Sequence, residues 1–208
     1  MPLPPPTVER KSLHTRRVVC DGYERADGLY DIEGWLIDTK HYVARTIERA
    51  DIPPGEPIHS MGLRLTVDTT FTIREVVAAM DFTPMEFCHG VPPNFAALVG
   101  IQLTSGFRQK VKDAVGGKLG CTHLIELVGQ MATAAFQTIR GKDPRDPKLR
   151  VVGRTPPMMN SCRGWGDDGP IIKSDYPQYY TGGDKAADSS ATLKCVSPPP
   201  SGCSPAWP

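Results

Sequence analysis

The sequence has almost no net charge. Its 24 lysine and arginine residues nearly balance 23 aspartate and glutamate residues, which leaves a formal charge of +1 at neutral pH. No block of basic residues departs from this balance. Proteins that bind nucleic acids attract phosphates with a basic patch or stripe. The composition therefore argues against a nucleic-acid partner.

Long apolar runs are also missing. None approaches the ~20 residues that a membrane-spanning helix needs. The segment Met1–Pro6 lacks the basic and apolar parts of a signal peptide. We therefore expect a cytoplasmic protein of bacterial type with no membrane association. The length suits a single domain with a core of its own.

Paired cysteines are the third absence. The six cysteines contain no C-x-x-C pair, which argues against a secreted disulfide framework and against a zinc ribbon. Two of them, Cys195 and Cys203, fall in a segment rich in glycine, serine and proline. We predict a proline-rich disordered N-terminus over residues 1–15, one domain over 16–180 and a disordered tail over 181–208.

The order of secondary structure indicates the fold class. Asp27-Gly28 is a turn signal between two strand-like runs of the segment near 16–40. Apolar residues alternate over Met61–Val67, which is typical of a strand with one wet face. Phe71–Met80 is open to a helical interpretation, but its β-branched residues favour a strand. Helices are predicted near 94–115 and 122–140. The sequence predicts an α+β domain, with an antiparallel sheet from the N-terminal half covered on one face by C-terminal helices.

The first candidate site residue is Cys121. It follows a glycine-rich turn and precedes a long helix for which Thr122 is a natural N-cap. The free amides at a helix N-terminus favour an anion, so a thiolate is favoured at this position.

Other cysteines and histidines suggest a metal. Cys88 stands beside His89, His123 follows Cys121 by two residues, and Cys162 offers a further thiol. Thiolate and imidazole suit zinc or an iron–sulfur cluster. We expect a metal- or small-ligand-binding accessory protein that uses Cys88, Cys121 and His123, with Cys162 as an optional ligand. Buried structural cysteines are the alternative interpretation.

Two further functions stay open. In a thiol enzyme, Cys121 would attack a carbonyl, thioester or disulfide, and His59, His89 or His123 would take its proton. In a non-catalytic binding module, Cys121 would be structural, and a protein partner would be expected. His59 also fits an ordinary hydrogen-bonded strand residue.

Charges at the first predicted turn offer a cofactor site. Arg25 and Asp27 could hold an anionic ligand or a metal, yet an Asp beside Gly28 also stabilises a turn without any function.

Two family resemblances extend these expectations. The chain resembles a bacterial domain family of unknown function over about residues 16–180. The residues that carry this resemblance are Cys20, Glu24–Leu29, Asp31–Gly34, Ile58, His59, Met61–Leu65, Pro84, Cys88, Gly100, Gly106, Phe107, the Gly-Cys-Thr-His-Leu motif at 120–124 and Asn160–Arg163. The chain is also similar to U-type iron–sulfur cluster scaffolds, in which a Leu-His-Cys motif begins the last long helix. Leu119-Gly120-Cys121 stands in that place, with Gly120 instead of the histidine, and Cys88 could stand for the scaffold's helix-opening cysteine. The scaffold's first cysteine, in an early turn, has no counterpart in Asp51–Gly55 or Asp68–Thr70. The similarity implies the same topology, with cluster assembly as one candidate function.

Overall fold

The structure is a computed structural model that describes residues 3–140, 155–156 and 158–182. The chain divides into two compact units, Ser12–Pro157 and the combination of Met1–Lys11 with Met158–Pro208. Each unit is described by itself within those ranges. No helix in the described ranges is long and apolar enough to cross a membrane.

The larger unit is built on a four-stranded antiparallel sheet. The strands lie side by side in chain order, so each follows its neighbour through a hairpin. They are β1 (His14–Glu24), β2 (Tyr30–Lys40), β3 (Pro57–Val67) and β4 (Ile73–Phe82). The predicted turn at Asp27-Gly28 is confirmed, because Gly28 has a φ of +82°, a left-handed conformation that glycine adopts without strain. The prediction of a strand rather than a helix after Thr72 is also confirmed.

Two α-helices of this unit follow the sheet, as predicted: α1 (Phe107–Val115) and α2 (Thr122–Arg140). Helix α2 packs across β1, β2 and β3 with a stripe of buried residues. It approaches the sheet closely at Gly34, where a Cβ would lie 2.7 Å from Cγ of Met131 and 3.1 Å from Cδ1 of Leu127. This arrangement confirms the α+β prediction.

Part of the helical prediction is wrong. The segment before α1 forms two short 3₁₀ helices, Glu86–Gly90 and Pro92–Leu98, and no α-helix. Its consecutive prolines supply no N–H donors for a regular helix, and Gly100 then leaves the helical region with a φ of +89°. Helix α2 has the predicted bounds, but Thr122 is its first residue rather than its N-cap, so Cys121 precedes the first turn. The Cys121 carbonyl accepts a hydrogen bond from the Ile125 amide at 3.0 Å.

The smaller unit contains short helices that the sequence did not predict. They are α3 (Pro170–Asp175) and the 3₁₀ helices Arg163–Trp165 and Pro177–Tyr179. Asn160 and Asp167 exchange two hydrogen bonds, of 3.1 and 2.9 Å, that tie the start of this segment together. The predicted tail lies outside the described residues from position 183 onward, and so do Cys195 and Cys203.

Candidate functional site

A buried carboxylate lies at the centre of the candidate site. Alternate residues of β2 face helix α2, and Asp38 continues the row of Ile32, Gly34 and Leu36. Only 4% of the Asp38 side chain is exposed. A carboxylate in such a place is costly unless charged or hydrogen-bonding partners surround it.

Arg16 is the strongest partner of Asp38. The two residues are cross-strand neighbours on β1 and β2. Arg16 Nε donates to Oδ1 and Nη2 donates to Oδ2, each at 2.8 Å, while Nη1 lies 3.3 Å from Glu126 on α2. Burial by itself raises the pKa of Asp38, but the hydrogen bonds and charge of Arg16 outweigh it, so this pKa lies below its ordinary value. Asp38 is therefore ionised at neutral pH.

Three histidines surround the same carboxylate. His59 Nδ1 lies 3.0 Å from Oδ2, His123 Nε2 lies 3.8 Å from Oδ2, and His14 Nε2 lies 3.3 Å from Oδ1. The rings of His59 and His123 are in contact, with centroids 4.0 Å apart. The buried His59 Nδ1 is therefore within hydrogen-bonding distance of the Asp38 carboxylate.

The electrostatics favour neutral imidazoles. Burial lowers the pKa of His59, and a charge on His123 lowers it further. Burial also lowers the pKa of His123, with the charge of Arg16 as the next cause. Neutral imidazole is the form that binds metal ions. One ligand atom from each of Asp38, His59 and His123 lies within 4.8 Å of the others.

A group of sulfur atoms lies on the other side of His123. Cys121 Sγ is 3.7 Å from His123 Nδ1 and 3.8 Å from Met61 Sδ. Cys88 lies near this thiol. Burial raises the pKa of Cys88, and a charge on Cys121 raises it further. His123 therefore separates a thiol from a carboxylate, with one ring nitrogen toward each.

The structure brings three of the predicted site residues, Cys121, His123 and His59, into contact, and Cys88 lies near Cys121. Arg25 and Asp27 lie at the turn end of the β1–β2 hairpin, far from the site. Asp38 lies seven residues beyond Asp31 on β2, which is roughly 23 Å along an extended strand. Cys162 is exposed and belongs to the smaller unit. His89 approaches Thr83, at 3.4 Å between Nε2 and Oγ1.

Sequence reasoning missed four residues of the site: Asp38, Arg16, His14 and Met61. One signal was available for Asp38. Asp38 continues the alternation of Ile32, Gly34 and Leu36, and this pattern places a charged residue on the face of β2 that the helices cover. The pairing of Arg16 with Asp38 depends on the hairpin register, which the turn at Asp27-Gly28 sets only once its length is known.

The comparisons with known proteins identify a family. A family model described as "Protein of unknown function (DUF2889)" matches residues 14–137. The chain belongs to this family. The DUF2889 match runs from the first residue of β1 almost to the end of α2, so it includes every residue of the site described above. It agrees with the resemblance to a family of unknown function, and it ends before the Asn160–Arg163 segment. No curated protein and no solved structure was found that matches the chain.

Proposed function

We propose that this DUF2889 domain binds a divalent transition-metal ion through Asp38, His59 and His123. The observation that carries the proposal is a buried carboxylate facing two half-buried imidazoles, with one ligand atom from each of the three residues within 4.8 Å of the others. Zinc bound tetrahedrally at about 2.1 Å places its ligand atoms about 3.4 Å apart. The distances of 3.0 and 3.8 Å from Asp38 Oδ2 bracket that value.

Arg16 is compatible with a bound metal. Its two hydrogen bonds use one lone pair on each oxygen of Asp38, and an ionised carboxylate offers about four. Metal-binding carboxylates commonly have such an outer partner, which fixes their orientation. The positive charge of Arg16 is offset in part by Glu126. Arg16 would therefore orient the carboxylate that binds the metal.

Three protein ligands indicate the kind of metal site. Structural zinc sites are closed by four protein ligands, whereas catalytic sites retain an open position for water or substrate. Two histidines and a carboxylate also suit iron(II). Asp38, His59 and His123 would leave such a position free, which favours ligand binding or catalysis over a purely structural metal.

The test is a zinc titration of the purified protein with a competing fluorescent chelator. Replacing His59 or His123 by glutamine should weaken zinc binding ~100-fold or more, because each change removes a direct ligand. His89→Gln is the matched control, since that histidine lies against Thr83, and it should bind zinc like the unaltered protein. Unchanged affinity in both ligand variants, with folding verified by circular dichroism, contradicts the proposal.

A second candidate is a thiol-dependent enzyme. The observation that favours it is the order of Cys121 Sγ, the His123 ring and Asp38, with 3.7 Å from sulfur to Nδ1 and 3.8 Å from Nε2 to the carboxylate. Thiol nucleophiles use a histidine base oriented by a third group in this order. Iodoacetamide should then label Cys121 faster than Cys20, and His123→Gln should remove the difference. Equal rates in the unaltered protein would exclude this function.

A further inference from the structure

Two sulfur atoms and an imidazole nitrogen are linked by contacts of the Cys121 thiol, on the side of His123 that faces away from Asp38. The thiol of Cys121 touches both the thioether of Met61 and Nδ1 of His123. Met61 is fully buried, with 1% of its surface exposed, whereas Cys121 is half-buried. Sulfur ligands of this kind, together with imidazole, select copper(I) over harder ions. We propose that Cys121 Sγ, Met61 Sδ and His123 Nδ1 bind a copper(I) ion.

Both distances from Cys121 Sγ fit a three-coordinate ion. Metal–sulfur bonds of about 2.3 Å and a metal–nitrogen bond of about 2.0 Å, separated by 120°, place two sulfurs about 4.0 Å apart and a sulfur and a nitrogen about 3.7 Å apart. The observed separations are 3.8 Å between the sulfurs and 3.7 Å between Cys121 Sγ and His123 Nδ1. These contacts are therefore already near the separations that a bound ion requires.

Charge balance also fits this location. When the copper–sulfur bond forms, the thiol of Cys121 releases its proton to solvent, and the thiolate neutralises the single positive charge of copper(I). A neutral complex avoids the large cost of burying an unpaired charge. The partial exposure of Cys121 provides a route by which the ion can enter.

Asp38 would act as the outer partner of this site. When Nδ1 binds copper, the proton of His123 resides on Nε2, which lies 3.8 Å from Asp38 Oδ2. Metal-binding histidines usually direct their other N–H toward a carboxylate, and that contact fixes the ring and its tautomer. Arg16 in turn holds Asp38 in place.

The copper site does not rest on the proposed divalent site. The only ligand residue that the two share is His123, which would offer Nε2 to the divalent ion and Nδ1 to copper(I), whereas Asp38 would bind the divalent ion directly and only orient His123 in the copper site. A neutral imidazole has one free nitrogen lone pair at a time. Binding of one ion should therefore weaken binding of the other.

The test is a competition for copper(I) with bicinchoninate, under ascorbate and without oxygen. Met61→Leu is the sharpest variant because it removes the thioether at nearly constant volume, a change that cores tolerate well. It should weaken the first copper(I) equivalent about 10-fold, and Cys121→Ser should weaken it ~100-fold or more. Met80→Leu and Cys20→Ser are the matched controls, one a buried methionine of β4 and the other a half-buried cysteine of β1. Both should bind copper(I) like the unaltered protein.

The outcomes separate the two sites. His59→Gln should weaken zinc binding and leave copper(I) binding unchanged, whereas Met61→Leu and Cys121→Ser should weaken copper(I) binding to the extents given above and leave zinc binding unchanged. Copper(I) affinity that is unchanged in Met61→Leu, or that falls as far in Cys20→Ser as in Cys121→Ser, overturns the copper site whatever the zinc titrations show. X-ray absorption of the one-equivalent complex should give two sulfurs and one nitrogen around copper, and any other ligand set also overturns it.

Discussion

The two ends of the β1–β2 hairpin carry the same pair of side chains in different surroundings. At the turn, Arg25 donates to Asp27 from Nε and Nη2, at 3.0 and 2.7 Å. At the far end, Arg16 makes the same two-pronged contact with Asp38. The Asp27 side chain is 49% exposed and the Asp38 side chain 4% exposed. The two arginine–aspartate pairs therefore share the same contact geometry but differ in how deeply the aspartate is buried.

The difference in burial explains why one charged pair belongs to a candidate site and the other does not. Opposite charges 4 Å apart in water attract each other by only about 1 kcal/mol, and burial strengthens the interaction several-fold. Asp27 lies in a solvated turn, and its hydrogen bonds to Arg25 lower its pKa. Asp38 lies beside α2 and is close to one histidine from each of β1, β3 and α2. Arg25 and Asp27 fit the structural interpretation of a stabilised turn.

Zinc affinity should give the largest contrast between the two ends. Asp38→Asn should reduce it ~100-fold, because an amide is a much weaker ligand than a carboxylate for this ion. Asp27→Asn should leave it unchanged. Equal losses in both variants, measured by chelator competition, would mean that zinc binds outside the Asp38 cluster.

Removal of the arginines should give the next contrast. Arg16→Gln leaves a buried carboxylate with histidine partners only, and it should lower the free energy of unfolding by about 2 kcal/mol. Breaking a fully buried pair costs more, but Arg16 is one-third exposed and water screens part of the interaction. Arg25→Gln should not change the midpoint of urea denaturation. A midpoint for Arg16→Gln equal to that of the unaltered protein would show that the histidines alone neutralise Asp38.

The pH dependence of stability should also be larger at the buried end of the hairpin than at the turn. The pKa values of His59 and His123 lie below their ordinary value of 6.5, so the unfolded state binds more protons as the pH falls below about 6.5. Their contribution to stability is fully present above that pH and decreases below it. Urea midpoints from pH 7.5 to 5 should therefore fall less in the His59→Gln/His123→Gln double variant. Asp27→Asn should follow the unaltered protein, because the pKa of Asp27 lies below its ordinary value of 3.8.

Salt should produce the smallest contrast. At 1 M salt the Debye length is about 3 Å, which removes most interactions between exposed charges. A double-mutant cycle of Arg25 with Asp27 should give a coupling that vanishes between 0.05 and about 1 M sodium chloride. The coupling of Arg16 with Asp38 should persist. Loss of both couplings would indicate that water reaches Asp38.

Much of the fold could be predicted from sequence because it follows local patterns. The alternation in Met61–Val67 and the helical spacing after Leu124 each report the buried face of one element. The placement of Cys121 at the start of α2 followed from the glycines before it. The 3₁₀ helices near Phe95 escaped prediction because buried residues spaced three apart fit both helix types.

The centre of the site could not be found in the same way. Asp38, His59 and His123 come from three elements, and their meeting depends on strand register and on where α2 lies across the sheet. The register also shifts between Asp38 and Thr39, immediately beside the site. Cysteine and histidine patterns therefore indicated the correct neighbourhood, through Cys121 and His123, while the carboxylate was missed.

The close approach at Gly34 has a consequence for ligand spacing. Strand β2 carries Gly34 and, four residues later, Asp38 on the same face. Helix α2 carries Met131 and, eight residues earlier, His123 on the same side. The thickness of the layer between strand and helix at Gly34 therefore sets the gap between a carboxylate and an imidazole farther along. A methyl group at position 34 would push the helix away from the strand and widen that gap. Gly34 contacts none of the proposed metal ligands, yet its small size would determine the distance between two of them.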